Sequence, residues 1–312
     1  MDFHFCTITT NSHLFKVNAL YESLRLIDSN CILFVLNVDA KKITKNLNDN
    51  RIVFFSLETM ISDIGKEVIK KYRSNKDKLR WSLKPVFLKF LLENNYSEKL
   101  VYTDNDVAFF GDYSFLFDAL SENNIILTPH NYPRYPDKMQ NWLEANFRVG
   151  LFNAGFIGVN SKALETIMWW ANCCLYRCEK SALRGLFDDQ KYLDLIPIIE
   201  PKTLILDHKG CNLAEWNRTI CVRTFDSASN RILINNKWPI IFIHFNVTSL
   251  KSFHSNEEVI LKPYFDTYIN WLLKFKSDFN IEDELAGNNF WPLLKLSLWK
   301  FLNRLNNIHR IW

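Results

Sequence analysis

The residues "KLVYTDNDVAFFGD", Lys99–Asp112, read from Leu100 to Phe110 as one apolar strand interrupted by two aspartates, Asp104 and Asp106. Charge inside a buried strand is costly unless something compensates it. With 34 acids in 312 residues, chance alone supplies about four acid-x-acid pairs, so the surroundings of the pair must carry the argument. Here the surroundings are a hydrophobic strand that ends at the pair. Ligands of open α/β sheets bind beyond the carboxyl ends of strands. Two carboxylates there, with Asn105 between them, suit a hard divalent cation with oxygen ligands, Mg²⁺ or Mn²⁺ together with a diphosphate. The competing reading is a pair of strand-end acids making turn and cap hydrogen bonds.

On either side of this stretch strands and helices alternate. "FHFCTITT" (3–10) is rich in β-formers, and a helix follows to about Leu26 with Leu14, Val17, Leu20 and Leu24 on one face. "CILFVLNVD" (31–39) has the unbroken apolar character of a strand covered on both faces, and "RIVFFSL" (51–57) reads as a third strand. Ser82 is placed to cap a helix "LKPVFLKFLLEN", with Pro85 tolerated in its first turn. Beyond Asp112, "NIILTPH", "LFNAGFIGVN", "TLILD" and "PIIFIHF" are further strands, and Ser161 to about Glu179 is a helix. The alternation predicts an α/β fold around a mixed, mostly parallel sheet flanked by helices. Residues 1–250 are expected to form one domain, and 251–312 a helical C-terminal extension.

Composition limits the alternatives. At 48% hydrophobic and 23% charged residues the chain is globular in character, and a net charge of +4 is too small to argue for nucleic acid. The seven cysteines are odd in number and lack a CxxC pair, which predicts reduced, packed thiols over a zinc site. The N-terminus "MDFHFCTITT" lacks a basic region and a long apolar run, so a cytoplasmic location is expected. On that ground the acceptor patterns Asn217-Arg-Thr219 and Asn246-Val-Thr248 are discounted as glycosylation sites. The tail "FWPLLKLSLWKFLNRLNNIHRIW" (290–312) puts Leu294, Leu298, Phe301, Leu305, Ile308 and Trp312 on one helical face, with Lys300, Arg304 and Asn307 opposite and no acid. It fits an interfacial membrane helix on the cytosolic face, or equally a helix packed on the main domain or on a second subunit.

Four further features are candidates for chemistry. His244 ends the apolar strand of "IIFIHFN"; a lone histidine is more often a satisfied core residue than a ligand, unless that strand end lies beside the aspartates. Lys84 sits in the first turn of its expected helix, where a bound anion would offset the unfavourable helix dipole, or equally it is an exposed lysine in a surface turn. In "LFNAGFIGVN", Asn153, Ala154, Gly155 and Gly158 let a ligand approach the backbone closely. In "GLFDDQKYLDLIP", Asp188, Asp189 and Gln190 begin a helix.

In order and spacing these segments resemble the GT-A-fold (Rossmann-like) nucleotide-sugar glycosyltransferases, particularly retaining family 8-type enzymes and their bacterial relatives. The resemblance runs from about Phe3 to Phe245 through "FCTITTNSHL", "SLKPVFLKFLL", "VYTDND", "FNAGFIGVN" with the following "WW", "GLFDDQKYLDLIP", "DHKGCNLAEWN" and "FIHF". It implies that Asp104, Asp106 and His244 hold Mn²⁺ or Mg²⁺ against a donor diphosphate. It nominates Thr9 and Asn11 for the nucleoside, with Asn105 also donor-binding, although members often carry an acid where this chain has "TTNS". Lys84 matches a basic residue near the donor phosphates, and Asn153, Asp189 and Gln190 match positions around the donor sugar and the reacting face. The implied reaction is metal-dependent transfer from a UDP-sugar, with retention, to a cell-surface glycan or lipid-linked acceptor. The resemblance also raises the case for membrane contact by the tail.

Two other classes stay open. One is a catalytically silent nucleotide-sugar-binding scaffold, against which the intact DND, His244 and DDQ elements argue. The other is a nucleotidyltransferase, which needs a glycine-rich triphosphate loop that "TITTNSHLFK" lacks. "NYPRYPDKMQNW" (131–142) is expected to be an acceptor-side loop.

Overall fold

The computed structural model describes residues 2–40, 51–136 and 140–286. The tail 290–312, with its expected membrane or packing helix, lies outside the described residues, as do 137–139 of the expected acceptor-side loop.

Strand β1 (Phe3–Thr9) leads through α1 (Leu14–Arg25) to β2 (Cys31–Asn37) and β3 (Ile52–Ser56). Helices α2 (Asp63–Tyr72) and α3 (Lys76–Glu93) precede β4 (Lys99–Thr103) and the short β5 (Val107–Phe109). Then come α4 (Ser114–Glu122), β6 (Ile125–Pro129), α5 (Gln140–Arg148), β7 (Phe152–Asn160) and α6 (Leu164–Tyr176). A hairpin of β8 (Glu179–Ser181) and β9 (Leu186–Asp188) follows, with α7 (Ile196–Ile199) and β10 (Thr203–Ile205). Strands β11 (Arg223–Asp226), β12 (Arg231–Ile234), β13 (Trp238–Pro239) and β14 (Phe242–His244) lead to α8 (Val247–His254), α9 (Lys262–Phe275) and α10 (Ile281–Ala286).

The main sheet has seven strands in the order β10-β6-β7-β4-β1-β2-β3. All neighbours are parallel except those of β7, which runs antiparallel to both β4 and β6. The mixed, mostly parallel α/β sheet expected from the alternation is therefore present. Both faces are covered, which is why β1, β2 and β7 read as near-continuous apolar runs. On one face α3 presents Leu83, Phe87 and Leu91 at helical spacing, all fully buried, against Trp170 and Ile167 of α6. Each such side chain contributes about 1.5–3 kcal/mol by its removal from water. On the other face Leu20 and Leu24 of α1 pack with Leu116, Phe117 and Leu120 of α4. A third cluster joins Phe15 and Ala19 of α1 to Ile243, Phe245, Leu250 and the α9 residues Phe265, Tyr268 and Leu272. Phe245 and Tyr268 stack there with ring centroids 4.1 Å apart. No helix among the described residues is long and apolar enough to cross a membrane.

Four local expectations are corrected. The apolar run 100–110 is two strands in two sheets: β4 lies in the main sheet, while β5 leaves it and pairs antiparallel with β14. Helix α3 begins at Lys76, where the Asn75 side chain accepts from the Lys78 amide, and not at Ser82. Ser82 is buried and Pro85 lies inside the helix, so Lys84 is a mid-helix residue and the argument from a helix N-terminus does not apply to it. Helix α6 ends at Tyr176, which leaves Cys178 beyond it. Asp188–Gln190 end a strand and turn into a 3₁₀ turn, Asp188 having a left-handed φ of 51°. All seven cysteines are free, and among the described residues none belongs to a group able to hold a metal.

Candidate active site

The two-sheet arrangement builds the site. After Thr103 the chain leaves the main sheet through the turn Asp104-Asn105-Asp106 and enters β5, whose Val107 is in register with His244 at the end of β14. The Phe245 amide donates to the Asp106 carbonyl at 2.7 Å, and the Asp104 amide to the Gly155 carbonyl of β7 at 2.9 Å. Asp104, Asp106 and His244, 140 residues apart at the extremes, thus meet at the carboxyl edge of β4. One ligand atom from each lies within 4.8 Å of the others. His244 Nε2 is 3.2 Å from Asp106 Oδ1, and its Nδ1 is buried without a hydrogen-bond partner.

The residues present fit a divalent cation. Two carboxylates and an imidazole form a donor set that a divalent transition-metal or alkaline-earth cation could take, its remaining positions filled by oxygen ligands. Space is kept by a glycine: a Cβ on Gly155 would lie 2.6 Å from both Asn153 Oδ1 and His244 Cε1, and 3.1 Å from Asp104 Oδ2. The Asn153 carboxamide accepts from the Gly155 amide at 2.5 Å and fixes the backbone of β7 where its register with β6 is irregular. Gly155→Ala is accordingly expected to displace His244 or Asp104. It should cost about 1–3 kcal/mol of stability through overpacking and weaken Mn²⁺ binding at least tenfold, read by thermal denaturation and by metal titration. Wild-type metal affinity in the variant would show that the glycine does not keep the space.

Beside the triad lies a second ionic group. Lys84, almost wholly buried, reaches from α3 to Asp104 Oδ1 at 3.2 Å and to Asp189 Oδ2 at 3.3 Å. It also donates to the Ala154 carbonyl at 3.1 Å, and Asp104 Oδ1 accepts from the Tyr102 hydroxyl at 2.7 Å. Burial opposes the ammonium, but Asp104 and Asp189 outweigh it and raise its pKa above the ordinary lysine value. Asp189 is pushed up to about 6, by burial first and by the Asp104 and Asp188 carboxylates, against the pull of Lys84. Lys84 thus gains from two carboxylates, while Asp189 rises because burial and its neighbouring carboxylates outweigh the one cation it shares with Asp104. Burial and the His244 partnership act oppositely on Asp106; the partnership wins and lowers its pKa.

Asp104, Asp106, His244, Lys84 and Asp189 line a cleft of about 440 Å³ together with Asn153, Gln190 and Asp188. Gln190 is held at both ends, its Oε1 accepting from the Ala154 amide at 3.1 Å and its Nε2 donating to the Val149 carbonyl at 3.2 Å. Asn105 does not face this cleft: its Nδ2 donates back to the Ile8 carbonyl and the Thr9 hydroxyl, at 3.3 and 3.2 Å. Asn105 instead borders a smaller adjoining cavity that shares Trp81, Lys84, Asp104 and Asp106 with the first. Thr9 is fully buried, and Asn11 accepts from the Asn37 carboxamide at 2.7 Å in the loop after β1; neither lines either cavity.

Several cleft residues carried no individual signal in the sequence. From His244 a run of ring contacts passes outward through Trp216, His130 and Tyr132 to Trp142, with successive centroid distances of 5.5, 5.7, 4.7 and 5.5 Å. Burial pushes His130 down to about 3, so it is neutral. Its Nδ1–H donates to the Gly150 carbonyl at 3.0 Å, a contact that requires the proton on that nitrogen. Glu215 and Thr248 also line the cleft, the hydroxyl donating to the carboxylate at 2.9 Å. On the opposite wall Lys180 lies over the rings of Trp81 and Phe187, at 5.1 and 4.8 Å, and pairs with Asp188 at 3.3 Å. Glu215 and Trp216 stand within "DHKGCNLAEWN", which was legible only as part of a pattern; the rings come from separate segments whose meeting is a tertiary fact.

No family model matches the chain. Two proteins of Bacillus subtilis (strain 168) are similar to it in sequence: the uncharacterized protein YfnF, 25% identical over 82% of this chain and 84% of its own, and the uncharacterized protein YfnD, 27% identical over 89% and 92%. Among solved structures, the galactosyltransferase LgtC in complex with donor and acceptor sugar analogues superposes on 90% of this chain and 99% of its own. Its TM-score is 0.53 at 13% identity. The chain therefore has the GT-A fold, as its resemblance to the retaining family 8-type glycosyltransferases implies.

Proposed function

We propose that the chain is a divalent-cation-dependent glycosyltransferase that moves a sugar from a nucleotide-linked donor, a UDP-sugar by its resemblance, to a saccharide or lipid-linked acceptor with retention. The observation that carries this reading is the convergence of Asp104, Asp106 and His244 from the β4–β5 turn and the end of β14, at the sheet edge where α/β folds take ligands. An imidazole in the donor set favours Mn²⁺ over Mg²⁺. When bound there, the cation supplies positive charge to a leaving diphosphate.

The chain's own residues do the rest. Lys84 is a fixed cation in a water-poor position, where its field is stronger than at the surface. It stands between Asp104 and Asp189, so it links the phosphate side of the cleft to the side on which positive charge grows on the sugar. Asp189, with the doubly held Gln190 carboxamide, faces that growing charge. Asn153 holds the irregular start of β7 so that the donor sugar can approach its backbone. Acceptor rings are read as lying along the wall of Trp216, Tyr132 and Trp142, since sugars present apolar C–H faces to aromatic rings, with Glu215 and Thr248 taking hydroxyls. The same reading leaves the adjoining cavity beside Asn105 for the nucleoside, with Thr9 supporting the Asn105 carboxamide from behind rather than touching the donor.

The test is release of free sugar from UDP-, GDP- and CMP-linked donors with Mn²⁺ and with chelator. Metal-dependent hydrolysis of at least one UDP-sugar supports the reading; no turnover with any donor by a folded protein overturns it.

The triad also sets a pH dependence. Burial works against a charged His244, but the Asp106 carboxylate outweighs it and raises the imidazole pKa above its usual 6.5. A cation must displace that proton, so its affinity falls as pH drops through the His244 pKa. Below that point binding should release about one proton per ion, measured by calorimetry at one pH in buffers of different ionisation enthalpy. Affinity constant between pH 6 and pH 8 would remove His244 from the ligand set.

A further inference from the structure

A second cavity, of about 460 Å³, lies where α2, the end of α6 and the β8–β9 hairpin meet. Its floor is Tyr72, whose hydroxyl donates to the Cys174 carbonyl at 2.9 Å and accepts from the Cys178 amide at 3.0 Å. Its walls carry four cations, Lys71, Lys78, Arg177 and Arg184, against the single carboxylate of Glu179. Lys71 donates to the carbonyls of Leu175 and Tyr176, at 2.7 and 2.8 Å, and so covers the negative pole of α6 that would otherwise face the cavity. Arg177 and Glu179 form a partly exposed pair at 3.6 Å, which holds the guanidinium weakly. The side chains of Lys78 and Arg184 have no hydrogen-bond or ion-pair partner among the described residues. Two uncommitted cations and one loosely held guanidinium around a pocket of this size are what a phosphate group requires.

The rim indicates what carries the phosphate. Beside Arg184, in the hairpin turn closed by Gly185 at a left-handed φ of 62°, Leu183 is 99% exposed. Tyr176, on the same rim, is 70% exposed. Lys66, Lys70 and Arg73, set against Asp63 and Glu67, leave the solvent side of α2 and its C-cap net positive, while Ile64, Val68 and Tyr72 face the core. Apolar and aromatic groups standing in water next to cations suit the interfacial layer of an anionic membrane better than a soluble anion. We propose that this cavity binds the phosphate of a membrane-lipid headgroup, with Leu183 entering the interfacial layer beside it. The residues of this surface are other than those of 290–312, and the proposal does not depend on which reaction the cleft performs. The hairpin joins the two regions, because Glu179 and Arg184 line the basic cavity while Lys180 and Phe187 line the cleft. A headgroup held here would therefore bring lipid to the rim of the active site.

The test is co-sedimentation of the full chain with vesicles of phosphatidylglycerol and phosphatidylcholine, and of phosphatidylcholine alone, at about 0.1 M salt. The variants are Lys78→Glu with Arg184→Glu, and Leu183→Asp. Position 78 is the third residue of α3, where glutamate suits the helix N-terminus, and 183 and 184 are exposed, so the fold should persist, as checked by thermal denaturation. Expected are binding to anionic vesicles only, at least tenfold weaker in the double variant and several-fold weaker in Leu183→Asp. Undiminished binding in the double variant places membrane contact elsewhere and overturns the proposal, as does absence of binding by the unmodified chain. If Leu183→Asp binds normally and inorganic pyrophosphate competes fully for the cavity, the site takes a free phosphate, and the lipid assignment falls.

Discussion

Asp106→Asn is expected to abolish metal-dependent binding of the nucleotide and to lower donor turnover by at least about a thousandfold, while the protein stays folded. The substitution keeps the shape of the side chain and removes its charge. The backbone of residue 106 still accepts from the Phe245 amide, which is what holds β14 against the turn. What is lost is the carboxylate 3.2 Å from His244 Nε2, and with it one of the three ligands proposed for the cation. Residual turnover above one part in a hundred, unaffected by chelator, would mean that the triad is not the reaction centre.

Lys84→Met should have the larger effect on stability. The ammonium compensates Asp104 and Asp189 in a site that excludes most water. Removing one partner of a buried ionic group leaves uncompensated charge and costs about 3–5 kcal/mol. The sign of its pH dependence follows from Asp189. That group already titrates near 6 in the folded protein against an ordinary 3.8. The stability this provides is complete below the unfolded value and is lost as pH rises through the folded one. Without Lys84 the carboxyl shifts higher still, so the deficit of the variant should be largest at pH 8 and shrink toward pH 5, as measured by urea unfolding. A deficit under about 1 kcal/mol at pH 8, or one that grows on acidification, would mean that water reaches Lys84 and the pair is not buried.

Most of the sheet was legible because its strands are covered on both faces and so appear as unbroken apolar runs between helical patterns. The site was legible in parts. Asp104 and Asp106 stood out as charges in an apolar run, and Gly155 as a small residue in a strand. The placement of His244 beside them depends on β5 leaving the main sheet to pair with β14, a register set by packing across 137 residues. Helix α3 misled for a local reason. Its first turns, "KDKLRW", carry charges that resemble a surface loop, while Ser82 and Pro85 imitate a helix start that the structure places well inside the helix. Asp188–Gln190 misled similarly, since their polar run looks like a cap, yet Asp188 takes a left-handed conformation at a strand end. The aromatic wall from His244 to Trp142 had no periodic signal, because its members come from four separate segments.

The most direct measurement is calorimetric titration of UDP into the full chain, with Mn²⁺ and with chelator, beside Asp106→Asn. Binding is expected to require the metal and to disappear in the variant. Equal UDP affinity with metal and with chelator, or unchanged affinity in Asp106→Asn, would contradict it.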